Sequence, residues 1–219
     1  IEEIRKKKID VCQGIIIALS DGEKHLENKQ QIIEAGVVDA LLHIFSSQPL
    51  ESITLSHIWA FFVFTHPSSS EIELLLAEKN PYPALIRLLD HQVISVVSKT
   101  TNAILNILLG RSVTTPVNQP HPYFQTITSC GGIEKLYSLF KKNLSPGTKY
   151  SSALSIANLF KAKEIPNVEI RKDLIEYLKS TYKDPNSSSQ LIAKFSLKRL
   201  AENSVNRTEI EKDGFKIPE

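Results

Sequence analysis

The 219-residue chain contains no methionine, a single tryptophan and only two cysteines. Cys12 and Cys130 are too few and too far apart for a disulfide framework, so both thiols are expected to be reduced. No apolar run approaches the roughly 20 residues that span a bilayer, and the opening segment IEEIRKKKID lacks the apolar core of a signal peptide. We therefore expect a cytoplasmic chain, with a nuclear location as the alternative. Its first residue is Ile1, which suggests a fragment of a longer protein.

The sequence also lacks the short motifs that accompany common chemistry. It contains no H-E-x-x-H, no G-x-G-x-x-G, no G-K-[ST] and no G-x-S-x-G. The six histidines fall singly, without a second His or Cys at ligand spacing: His25, His43, His57, His66, His91 and His121. We expect no catalytic residue, metal ligand, cofactor or small-molecule substrate. A Ser-His-Asp triad built from distant residues is undetectable in a sequence, so that alternative stays open.

The composition is that of a folded chain, with 42% hydrophobic and 23% charged residues. Its net charge of +2 is unevenly distributed. Residues 1–109 hold 9 Lys or Arg against 13 Asp or Glu, whereas residues 110–219 hold 17 against 11. The basic second half predicts attraction of an acidic protein partner there. Nucleic acid is not expected as a partner, and the RKKK run at Arg5–Lys8 is a weak signal for it.

A segment of the chain recurs. IIEAGVVDALLHIF, LAEKNPYPALIRLL and ITSCGGIEKLYSLF begin at Ile32, Leu76 and Ile127. In register, they align Gly36 with Asn80 and Gly131, Leu41 with Leu85 and Leu136, and Phe45 with Leu89 and Phe140. Weaker anchors follow at Asp173 and Gly214, giving successive spacings of 44, 51, 42 and 41 residues. Such a period indicates stacked supersecondary units that bury their apolar faces against one another.

Each copy continues with a second segment of helical periodicity, for example SITLSHIWAFFVF and KYSSALSIANLFKA. A glycine in the anchor column suits a sharp turn between two helices, because glycine adopts positive φ without steric cost. Pro81 and Pro83 fit the first turn of the following helix, where no backbone donor is needed. We therefore predict a short helix, a sharp turn, a second helix and a longer third helix in each unit.

This pattern resembles the armadillo repeat, most closely in NKQQIIEAGVVDALL at Asn28–Leu42 and in HIWAFFVF. The resemblance implies an all-α fold, a right-handed α-solenoid in a single domain covering residues 1–219. Repeats are expected at about 24–66, 68–110, 121–163 and 167–203, with partial repeats at 1–20 and 206–219. A proline-containing loop insertion at 110–122 explains the longest spacing, and we expect it to be a spacer whose removal changes stability little. The related HEAT array is the alternative architecture.

The third helices line a concave groove in armadillo-like proteins, and adaptors resembling importin-α place a Trp and an Asn there, four residues apart. The repeat register maps these columns onto Trp59 with Val63, Asn102 with Asn106, Leu154 with Asn158, and Phe195 with Arg199. The partner-binding residues implied by the resemblance are Trp59, Asn102, Asn106, Asn158 and Arg199. In the alternative interpretation, Trp59, Leu154 and Phe195 are core residues and the two asparagines Asn106 and Asn158 are solvated.

We predict a scaffold for protein–protein interaction, without catalysis, that binds an extended or helical peptide segment in this groove. One alternative is a nuclear-import cargo adaptor resembling importin-α. The resemblance to that family is incomplete, because the residue four positions after the single tryptophan is Val63 and not an asparagine. Another alternative is the interaction segment of a larger enzyme, such as a U-box ubiquitin ligase or a kinase.

Overall fold

The computed structural model describes residues 2–20, 25–66, 69–185 and 189–218, and these residues form helices and connecting turns without a strand. The chain divides into two compact units, Ile1–Gly110 and Arg111–Glu219. The single domain expected from the sequence remains a prediction. The fold class is confirmed as an all-α solenoid of armadillo-like repeats.

The described residues of the first unit form α1 (Glu2–Ser20), α2 (His25–Glu34), α3 (Val37–Ser47), α4 (Leu55–Thr65), α5 (Ser70–Glu78), α6 (Tyr82–Leu88) and the greater part of α7 (Ile94–Thr114). The helices α2 to α4 and α5 to α7 form two successive repeats. Equivalent helices of the two repeats pack against each other: α2 lies against α5, and α3 lies against α6. Arg87 of α6 also donates hydrogen bonds to the carbonyl oxygens of Phe45 and Gln48 at the end of α3. One repeat is thereby tied to the next.

The second unit contains α8 (Phe124–Ser129), α9 (Gly132–Lys142), α10 (Pro146–Leu159), α11 (Val168–Lys183), α12 (Gln190–Leu200) and α13 (Ser204–Glu211). The helices α8 to α10 form a complete repeat, and α10 packs against α9 and α12. The helices α4, α7, α10 and α12, which follow the recurring segments, are called the third helices below.

The anchor column forms the turns that the sequence predicts. Gly36, Asn80 and Gly131 adopt φ values of 84°, 45° and 68°, and Gly214 adopts 73°. Gly36 and Gly131 directly precede α3 and α9, and Pro81 caps α6. Asp173 is the exception, because it lies inside the continuous helix α11. The predicted turn there is wrong: the sequence around Asp173 offers no Gly, Asn or Pro to interrupt a helix, so one long helix replaces two.

Replacing Gly36 or Gly131 with alanine is expected to lower the free energy of unfolding by about 1 to 2 kcal/mol, because a Cβ atom is strained at positive φ. Little crowding adds to this cost, since a Cβ at Gly131 would meet no atom within 4 Å. Urea denaturation followed by circular dichroism measures the effect. Asn80→Gly is the control, and it should be neutral or slightly stabilising. An alanine at Gly36 that costs nothing would contradict the assignment of the turn.

The core of each repeat is built from equivalent apolar positions. Leu41, Leu85 and Leu136 are 3%, 0% and 0% exposed, which confirms the register predicted from the three copies. In the first unit, Phe45 and Phe61 pack edge to face, with ring centroids 6.0 Å apart. Because one side of α4 and of α7 contributes to this core, only the opposite side of each helix is available to other molecules.

The predicted loop insertion at 110–122 requires correction in two respects. Residues 110–114 belong to α7, which ends at Thr114. The remainder is docked: the Lys161 ammonium donates to the carbonyl oxygens of Pro116 at 2.7 Å and Gln119 at 3.1 Å. Glu202 accepts from Lys161 at 3.0 Å and from the backbone N–H of Asn118 at 2.9 Å. The segment is therefore docked through a largely buried ion pair, which argues against a spacer, and the effect of its removal on stability remains to be measured.

Lys29 of α2 is fully buried, and burial lowers its pKa to about 8 from the ordinary 10.5. The unfolded chain binds more protons than the folded chain between these two values, so this lysine destabilises the fold fully below pH 8 and less as the pH rises toward 10.5. Lys29→Met should raise the free energy of unfolding near pH 7 by roughly 2 to 3 kcal/mol. Urea denaturation should show that gain shrinking as the pH approaches 10.5. A gain independent of pH would contradict this origin.

Candidate protein-binding surface

Helix α4 presents an aromatic surface outside the core. Thr54 precedes the helix and forms a reciprocal capping box with His57, whose Nδ1 accepts the Thr54 backbone N–H at 3.1 Å. The cap fixes where the helix begins, and along the packed helix Ile58 and Phe61 are fully buried while Trp59 remains 38% exposed. The alternative interpretation of Trp59 as a core residue does not hold.

Helix α7 places a lysine over this aromatic surface. The Lys99 Nζ lies 3.6 Å from the centroid of the Trp59 ring and 4.1 Å from that of Phe62. The two rings meet edge to face, with centroids 6.4 Å apart. Burial lowers the pKa of Lys99, because the partly desolvated ammonium is less well solvated in its charged form. A cation in such a position gains about 0.5 to 2 kcal/mol from the ring quadrupoles.

Two of the predicted asparagines continue the same surface along α7. Asn102 and Asn106 lie one and two turns beyond Lys99, and both are half-buried. The side-chain amide of Asn106 donates to the Thr65 hydroxyl of α4 at 3.1 Å, which orients it. We call the surface formed by Trp59, Phe62, Lys99, Asn102 and Asn106 the α4–α7 face.

The predicted residues of the second unit form a different arrangement. Asn158 of α10 is fully buried, and its amide donates to the Leu154 carbonyl oxygen at 2.7 Å. Its side-chain oxygen accepts from the Arg199 guanidinium of α12 at 2.6 Å. Asn158 is thus not solvated, and its buried side chain orients the Arg199 guanidinium through this hydrogen bond. Burial lowers the pKa of Arg199, which is half-buried.

The remaining positions of the tryptophan column divide between core and surface. Leu154 is fully buried, as the core interpretation expects. Phe195 of α12 is 46% exposed, with Leu191 one turn earlier at 61%. The second unit therefore also presents apolar side chains beside Arg199 on a third helix.

Sequence reasoning missed Lys99, although a signal for it exists. The register pairs Trp59 with Asn102, and Lys99 lies one helical turn before Asn102, so the repeat period combined with the helix period places a cation beside the indole. Within the part of the chain that the structure describes, no three His, Cys, Asp or Glu side chains group as metal ligands would. In those same ranges, no helix has both the length and the apolar character needed to cross a bilayer.

Comparison with solved structures places the helices in the armadillo class. The chain is similar to a designed armadillo repeat protein in complex with the peptide (KR)4, with a TM-score of 0.60 and 21% identity over 94% of this chain and 80% of that one. It is also similar to computationally designed armadillo repeat proteins for modular peptide recognition, with a TM-score of 0.61 and 20% identity over 91% of this chain and 76% of that chain. The fold is that of an armadillo repeat protein.

Sequence comparison gives a more distant result. No family model matches the chain. It is 25% identical over 196 residues to a probable inactive serine/threonine-protein kinase of Dictyostelium discoideum. The match includes 88% of this chain but only 15% of the length of that protein.

Proposed function

We propose that the chain is a non-catalytic interaction module whose third helices bind an extended segment of another protein. The observation that carries this proposal is the α4–α7 face, where the single tryptophan of the chain is exposed beside two asparagines on the adjacent helix. Tryptophan is enriched among the residues that dominate binding energy, because its large rigid ring excludes water around neighbouring hydrogen bonds.

The asparagines supply the complementary polar groups. An amide side chain contains both a donor and an acceptor, which matches the unpaired backbone of an extended segment. Asn102 and Asn106 lie one turn apart on α7, and the hydrogen bond from Asn106 to Thr65 holds that amide in one orientation. A preoriented amide loses less conformational entropy when it binds than a mobile one does.

On α12, Arg199 is the group that would receive an acidic side chain of the partner, through charge-assisted hydrogen bonds. Asn158 acts as a positioning residue, because its side-chain oxygen accepts one guanidinium N–H and its own atoms are buried. Phe195 and Leu191 offer apolar contacts on the same helix. Further support comes from a designed protein of this fold whose structure contains a bound (KR)4 peptide.

A paired variant tests the proposal. Affinity capture with mass spectrometry identifies bound proteins, and calorimetry then measures the affinity of each for the wild type and for Trp59→Ala with Asn106→Ala. The partner should bind this double variant at least about tenfold more weakly, since a tryptophan anchor and a hydrogen bond are both lost.

The matched control is Glu71→Ala with Leu74→Ala, which removes one polar and one apolar side chain, both exposed, from α5. It should leave the affinity unchanged, and both double variants should retain helical circular dichroism. Equal binding of the partner to the two double variants would contradict the proposed surface.

The relative named as a probable inactive kinase favours a second candidate function. The array would then be the interaction segment of a much longer, kinase-like polypeptide. Sequencing of the full-length transcript tests this: a kinase-like domain in the same reading frame supports the candidate, and its absence contradicts it. In either case the binding surface proposed for the third helices is the same.

A further inference from the structure

The ring face of Trp59 that could receive a basic side chain of a partner already carries a cation of the protein itself. The Lys99 ammonium lies over the Trp59 and Phe62 rings of α4, 3.6 Å and 4.1 Å from their centroids. A guest ammonium or guanidinium would seek the same kind of position, within about 6 Å of a ring centroid. Lysine or arginine from a partner would therefore meet a like charge at contact distance.

The charge of the third helices points the same way. Helices α4, α7, α10 and α12 contain no aspartate and no glutamate. They contain six cationic residues: Lys99, Arg111, Lys149, Lys194, Lys198 and Arg199. The 24 acidic residues of the chain all lie elsewhere in the sequence. Although residues 1–109 hold more acidic than basic residues, α4 and α7 themselves offer only positive formal charge at neutral pH.

We propose that Lys99 is a specificity-determining residue of the α4–α7 face, which admits an acidic segment and rejects a basic one. This inference rests on the proposed function and names the chemistry of the partner: an extended segment with carboxylates next to apolar side chains. A carboxylate pairs with the Lys99 ammonium while an apolar neighbour contacts the exposed part of the indole.

The same selection operates on α12. Arg199 is held by Asn158 and has the exposed Phe195 one turn before it, so a cation and an aromatic ring are again neighbours on a third helix. Lys194 and Lys198 flank them on that helix. Helical spacing alone relates this cation to the ring, and the Glu202 carboxylate also acts on Arg199, so the inference depends on the α4–α7 face.

Two peptides of opposite charge test the inference, (EL)4 and (KL)4, each with a fluorescent label; both alternate a charged with an apolar side chain and differ only in the sign of the charge. Anisotropy measures their affinities at low and high salt, and the intrinsic fluorescence of Trp59, the only tryptophan, reports whether binding occurs at this face. We expect (EL)4 to bind at least about tenfold more tightly than (KL)4 at low salt, and the preference to shrink as salt screens the charges. Trp59 emission should change only with (EL)4.

Variants of Lys99 test whether this residue causes the preference for the acidic peptide. Lys99→Met keeps the hydrocarbon stem and removes the charge, so the preference should fall, and Lys99→Glu should reverse it. Lys142→Ala on α9 removes one exposed charge outside the third helices and should preserve the preference.

Comparable affinity for both peptides, binding of neither, or a preference unchanged in Lys99→Glu would overturn the inference. The proposed function would survive any of these results if the captured partner still required Trp59 and Asn106. Loss of that requirement would instead refute the proposed function itself.

Discussion

Lys161→Met is expected to destabilise the protein by roughly 3 to 5 kcal/mol, the usual cost of removing one member of a buried ion pair. The side chains of Lys161 and Glu202 are only 3% and 14% exposed. Without the ammonium, the Glu202 carboxylate keeps the hydrogen bond from the Asn118 N–H, but the carbonyl oxygens of Pro116 and Gln119 lose this donor. Urea denaturation of the wild type and the variant measures the difference.

Two further variants separate the ion pair from a general effect of lysine. Lys172→Met, on the exposed side of α11, should change the free energy of unfolding by less than about 0.5 kcal/mol. The double variant Lys161→Met with Glu202→Leu should recover part of the loss, because apolar replacement of both partners removes the uncompensated charge. Limited proteolysis should cut residues 115–120 faster in Lys161→Met than in the wild type. A stability cost under about 1 kcal/mol would show that the segment is not anchored by this pair.

Leu85→Ala is expected to cost about 2 to 5 kcal/mol, because Leu85 is fully buried in α6 and its truncation leaves a cavity. Leu136→Ala should cost a similar amount, since it is the equivalent residue of α9 and is also fully buried. The matched control is Leu74→Ala: this leucine is 49% exposed on α5, and its truncation should cost about 0.5 kcal/mol or less. Thermal and urea unfolding give the comparison. Equal costs for Leu85 and Leu74 would contradict the assigned packing.

The repeat architecture is predictable from the sequence because its requirements are local. A turn between two helices needs a residue that tolerates positive φ, and Gly36, Asn80 and Gly131 meet that need visibly. The leucine column follows from helical periodicity once the turns are aligned. The Asp173 position shows the limit, since a weak anchor without Gly, Asn or Pro does not interrupt a helix.

The candidate site is predictable only in part, because it depends on contacts between residues about one repeat apart. The exposure of Trp59 and the half-buried position of Asn106 agree with the register, whereas the buried hydrogen bonds of Asn158 do not follow from it. Asn158 and Arg199 are 41 residues apart, and so are Lys161 and Glu202. Sequence patterns give the helix faces of such residues, but the choice of partner depends on the packing between helices.

The most direct test of the account is a 19F NMR spectrum of the protein labelled with fluorotryptophan, recorded with and without an unlabelled captured partner. Because Trp59 is the only tryptophan, the spectrum contains one resonance that reports the α4–α7 face. If the partner binds there, this resonance should shift or broaden until the complex is saturated, and Asn106→Ala should weaken the response. An unchanged resonance in a complex proven by size-exclusion chromatography would contradict the central claim that this face binds the partner.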